Sequence, residues 1–66
     1  MKNLSTTDFG NLVLDEIESL GFLTDDERII SAIIRHHNSS HSVNYSAISI
    51  INTLHLKQKE TTNGKA

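Results

Sequence analysis

Histidine is the one reactive side-chain type that this sequence carries in number: His36, His37, His41 and His55. An imidazole near neutral pH can move a proton, hold a metal or change its charge. His37 and His41 stand four apart, the spacing that sets two imidazoles on one helical face for zinc. Asn38-Ser39-Ser40 between them reads as a helix break. The glutamate base of the HExxH pattern is missing as well. His36, His37 and His41 are therefore the residues for a pH-sensing or metal-binding set, against the plainer reading that His36 and His37 favour a helix C-terminus as cations. Cysteine is absent, which removes disulfides and thiolate metal sites. There is no glycine-rich phosphate loop and no recognisable Ser/His/Asp spacing. A chain of 66 residues also offers little wall for a pocket. The expectation is a protein that is not an enzyme, with no cofactor and no resident metal.

The elements that must position these histidines are helices. Thr24 and Glu27 have the spacing of a capping box, and Asp25, Asp26 and Glu27 place negative charge at a helix start. Ile29, Ile30, Ile33 and Ile34 then follow the spacing of one helical face. Upstream, Ser5 with Asp8 resembles a second capping box, ahead of a stripe of Phe9, Leu12, Val13, Ile17 and Leu20. Gly10 weakens that helix a little. Gly21 suits the left-handed residue just past its end, with Phe22 folding back on Ile17. Downstream, Asn38 to Ser42 is a polar loop. Val43, Asn44 and Ile48 then fit a hydrophobic staple around an Asn44 cap. Val, Ile and Thr favour a strand there, but Ala47, Ile48, Ile51 and Leu54 keep helical spacing.

The predicted architecture is all-α: three short helices over residues 6–20, 25–37 and 45–57. The domain reading is a flexible N-terminus at 1–5, a single helical domain at 6–57 and a disordered basic tail at 58–66. So short a chain buries only about 60% of the surface exposed when unfolded, so a partner subunit is the natural support. The third helix shows more apolar surface than one face needs, which points to a homodimer. Leu14, Tyr45, Ile50, Leu54 and Leu56 are the predicted interface.

Charge is unevenly placed. Net charge is −2, yet seven of eight carboxylates precede Arg28, while five of six Lys/Arg and all four histidines lie from Arg28 onward. Carboxylates gathered at two helix starts account for much of this, and separate binding faces would account for the rest. A nucleic-acid reading treats the second and third helices as a helix-turn-helix, with Asn44, Ser46, Ser49, Asn52, Lys57 and Lys59 at the contact. The small net negative charge and a third helix without arginine weigh against it. No apolar run approaches a membrane span. Met1 to Asp8 lacks the apolar region of a signal peptide, so a cytoplasmic setting is expected.

Two stretches resemble known families. Glu27 to His37 looks like a late helix of the HD-type metal-dependent phosphohydrolases, but no adjacent His-Asp pair occurs and the chain is too short for that fold. Glu27, Ile29, Ala32 and Ile33, then Ser42-Val43-Asn44, Ile48, Ile50 and Leu56, resemble the small bacterial biofilm and acid-resistance regulators. Those are connector proteins of two-component signalling. The resemblance spans residues 21–56 and rests mostly on apolar spacing; Ser40 stands where that family has a loop glycine. It implies an all-helical dimer acting through protein partners, or through DNA, with no catalytic residue. Together these readings favour a small regulatory adaptor, ahead of a dimeric nucleic-acid-binding modulator of transcription and a histidine metal-binding module.

Overall fold

The computed structural model describes residues 4–59. Among them are α1 (Thr6–Ser19), α2 (Arg28–Asn38) and α3 (Val43–Leu54), each packed against the other two. The all-α, three-helix architecture holds, and the boundaries differ where long-range contacts outweigh local signals.

α1 starts as its sequence suggests: the Ser5 hydroxyl accepts from the Asp8 N–H at 3.1 Å. It ends on a Schellman motif. Gly21 takes φ +95°. Its N–H donates to Glu18 O at 3.0 Å, and the Phe22 N–H donates to Ile17 O at 3.2 Å. Phe9, Gly10, Val13 and Ile17 are buried, whereas Leu12 and Leu20, predicted in the stripe, remain exposed. Gly10 does more than weaken a helix. A Cβ there would lie 3.3 Å from Ile33 Cγ2, so this glycine lets α1 and α2 approach closely.

α2 begins three residues later than predicted, because the Thr24 and Glu27 capping box does not form. Thr24 Oγ1 donates instead to Glu18 Oε2 at 3.1 Å. Residues 23–24 are irregular, with Leu23 N–H donating to Lys57 O. Glu27 takes the N-cap position without a side-chain cap bond, and one residue before it Asp26 Oδ1 accepts from the Arg28 N–H at 2.9 Å. Ile29, Ala32 and Ile33 are buried, but Ile30 and Ile34 face outward at 65% and 44% exposure. Four isoleucines suggested one face; the helix buries the alanine in place of two of them.

α3 starts at Val43 because Ser42, not Asn44, caps it. Ser42 Oγ accepts from the Tyr45 N–H at 3.1 Å. Asn44 is drawn aside, its Nδ2 donating to Glu16 Oε2 of α1 at 3.2 Å. The predicted staple therefore fails. Val43 is the first helical residue and packs on the core, while Ile48 is 45% exposed.

α3 also stops earlier, at Leu54, where His55 turns left-handed at φ 55°. Leu56 then enters the core. Beyond it the chain runs antiparallel to residues 21–23, bridging Phe22 and Gln58, with Lys59 N–H donating to Gly21 O at 2.8 Å. Of the tail predicted from 58, Gln58 and Lys59 are thus tied to the α1 exit. Residues 60–66, like 1–3, lie outside the described residues.

Candidate functional site

The turn between α2 and α3 gathers most of the chemistry that the sequence suggested, and it separates adjacent histidines. α2 closes with Ser39 as its cap and Ser40 in the left-handed region at φ 61°. Ser40 N–H donates to His37 O and His41 N–H to His36 O, the bonds of a second Schellman motif. Reversing the chain this way brings His36, His41 and Tyr45 together. Ring centroids lie 5.1 Å apart for His36 and His41, 4.7 Å for His41 and Tyr45, and 6.0 Å for His36 and Tyr45. His36 Nδ1 is buried and has no hydrogen-bond partner. Burial, then the neighbouring His41 and Arg35, hold its pKa below the ordinary 6.5.

His37 points the other way. Its Nε2 lies 2.7 Å from Leu4 O and its Nδ1 3.2 Å from Thr6 Oγ1, with its ring 5.3 Å from Phe9. A carbonyl can only accept, so Nε2 carries the proton and donates. His37 is a tie between α2 and the start of α1. The set of His36, His37 and His41 therefore divides. Among the described residues no group of three His, Cys, Asp or Glu side chains could hold a metal.

A shallow cleft of about 280 Å³ lies at the other end of α2, lined by Leu23, Asp26, Arg28, His55 and Lys57 among others. Two of its charges pair with each other. Arg28 Nη2 donates to Asp26 Oδ2 at 2.6 Å and to Leu54 O at 3.1 Å. The Arg28 guanidinium and backbone N–H hold the Asp26 carboxyl down at about 2. This arrangement joins the start of α2 to the end of α3 and leaves no free cation at Arg28 for an anionic ligand.

The other predicted sites fare differently. Ile50 and Leu56, expected at an interface, are core residues at 1% and 9% exposure. Leu14 and Leu54 are half-buried against that core, and only Tyr45 is well exposed, at 54%. The surplus that suggested pairing through α3 is thus taken up inside the chain. Of the nucleic-acid set, Ser46 is fully buried with its hydroxyl unpartnered, and Asn44 is held by the acidic Glu16. Ser49 is half-buried, Asn52, Lys57 and Lys59 are exposed, and the Lys59 ammonium donates to Glu18 O at 3.1 Å. These residues do not form one basic face.

No helix among the described residues is long and apolar enough to cross a membrane. Compared with protein-family models, curated proteins and solved structures, the chain gives no match.

Proposed function

We propose that this protein is a small cytoplasmic adaptor that acts by binding another protein, a second copy of itself included, and carries out no reaction of its own. The observation behind this reading is the outward face of α2. Ile30 and Ile34 are one turn apart and both exposed. Leu14 lies one turn beyond Gly10, on the side of α1 that meets Ile33, so it borders the same edge. In so small a fold α2 keeps two isoleucines outside the core, and contiguous exposed apolar surface marks contact sites.

The resemblance to the small biofilm and acid-resistance regulators agrees with an adaptor role. Its residues Ile29, Ala32, Ile33, Ile50 and Leu56 are all core, however, so it speaks to packing more than to partners.

The test is a pull-down with the tagged full chain from native lysate, with and without nuclease, beside light scattering at micromolar concentration. Wild type should retain a nuclease-resistant partner, or run as a dimer. An Ile30→Asp, Ile34→Asp double variant should lose that association while keeping its helical circular dichroism. Association abolished by nuclease would transfer the reading to nucleic acid.

A further inference from the structure

We propose that the α2–α3 turn is a proton-operated latch: His36, His41 and Tyr45 hold it closed while His36 is neutral, and charging His36 opens it. The inference is independent of the adaptor reading and rests on the packing of three rings around a buried nitrogen.

A neutral imidazole needs one donor nitrogen, and a charged one must donate from both. His36 Nδ1 is buried with no acceptor in reach, so a proton placed there has nothing to bind. The groups around it make the charge worse. Arg35 precedes it on α2, and the His41 ring from the turn is 5.1 Å away. Both lower its proton affinity after burial itself. From α3 comes the Tyr45 ring, 4.7 Å from His41 and 6.0 Å from His36, and no hydrogen bond joins it to the His36 Nδ1. From α1 the charge facing the start of α3 is Glu16, already held by Asn44. Among the described residues no hydrogen bond or salt bridge joins His36 or His41 to a carboxylate. The C-terminus of α2 favours a cation, and the burial of His36 opposes it.

The neighbouring histidine shows why this is a property of the site and not of histidine. Protonated, His37 keeps Nε2 donating to Leu4 O, and Nδ1 can donate to Thr6 Oγ1 where it formerly accepted. His37 can take up a proton with its ties intact. His36 cannot.

The direction follows by linkage. With the closed-state pKa below 6.5, the open state binds protons more readily, so closure is fully favoured above about pH 6.5 and weakens as pH falls below it. Ser40, a left-handed residue with a Cβ, holds the turn between the rings under backbone strain, so the opened chain has strain to release.

The experiment is an NMR titration of the full chain from pH 8 to 4.5, following the imidazole signals and ring-to-ring NOEs. Tyr45 is the only tyrosine, so its ring signals are unambiguous. His36 should titrate below 6.5. Over the same pH range the Tyr45 to His36 NOEs should vanish and exchange protection at Ser39 to Tyr45 should fall. His36→Phe, which keeps a ring and cannot charge, should hold that protection to within about twofold across the range. His37→Gln should respond to pH as wild type does. The proposal is overturned if His36 titrates at or above 6.5, if the NOEs persist once it is charged, or if His36→Phe opens in parallel with wild type. The wild-type titration decides the matter even where the phenylalanine variant fails to fold.

Discussion

The two turns that connect the helices use the same hydrogen-bond motif and are made of different material. At the exit of α1 the left-handed residue is Gly21, whose φ of +95° carries little steric cost. Around it lie backbone bonds from Leu23 to Lys57 and from Lys59 to Gly21, the Lys59 ammonium on Glu18 O, and Thr24 on the Glu18 carboxylate. At the exit of α2 the same position is Ser40, an L-residue at φ 61°, and the closing contacts beyond the motif are three mutually tilted rings. One turn is tied from a distant part of the chain. The other is strained and closed by groups that can change charge. Identical local geometry can thus be permanent in one place and adjustable in another, according to what surrounds it.

The sharpest way to break this comparison is Gly21→Val. A Cβ there meets nothing within 4 Å, so the penalty is backbone strain alone, and a β-branched residue should lose about 2 kcal/mol or more. Chemical denaturation would measure it. A variant as stable as wild type would mean that the tertiary ties, not glycine, define this turn.

The mirror experiment has the opposite sign. Ser40→Gly relieves left-handed strain at the price of a floppier unfolded chain, and should stabilise the fold by about 0.5–1 kcal/mol. A loss of stability would show that the Ser40 conformation carries no strain.

Asp26 extends the contrast to acid. Its carboxyl is held at about 2 against an ordinary 3.8, so the native state holds its proton less tightly than the unfolded chain. Its contribution is present above about 3.8 and is lost as pH falls toward about 2. Denaturation midpoints across that window should drop for wild type and flatten for Asp26→Asn, well separated from the histidine window.

The smallest effect is expected at Thr24→Ala. As a helix cap Thr24 would be worth 0.5–2 kcal/mol, roughly. As the donor of one exposed hydrogen bond to Glu18, its loss should stay under about 0.5 kcal/mol.

Much of this architecture was legible because its signals were local. Ser5 and Gly21 do at α1 what their types imply, and the helical spacing in α3 outweighed its strand-favouring composition. The errors share one cause. Asn44 and Ser42 are equally good caps, and the choice fell to Glu16 on another helix. Thr24 is a good cap too, but Glu18 and the pairing with Lys57 claim its neighbourhood. Ile50 and Leu56 looked surplus because one helix alone cannot show how three of them close. Ala32 displaced Ile30 and Ile34 from the core, an outcome that depends on how the helices lie together. The histidines were legible as a cluster. That His36 joins Tyr45 while His37 turns to Leu4 required the left-handed Ser40, at the position read only as a missing glycine.

The pairing of residues 57–59 with 21–23 also sets the order of events during synthesis. α1 emerges first, and the segment that braces its exit follows much later, with Lys59 reaching Glu18 O across 41 residues. Leu56, which completes the core, arrives equally late. Until residues 56–59 are made, the α1 exit lacks its brace and the core lacks Leu56.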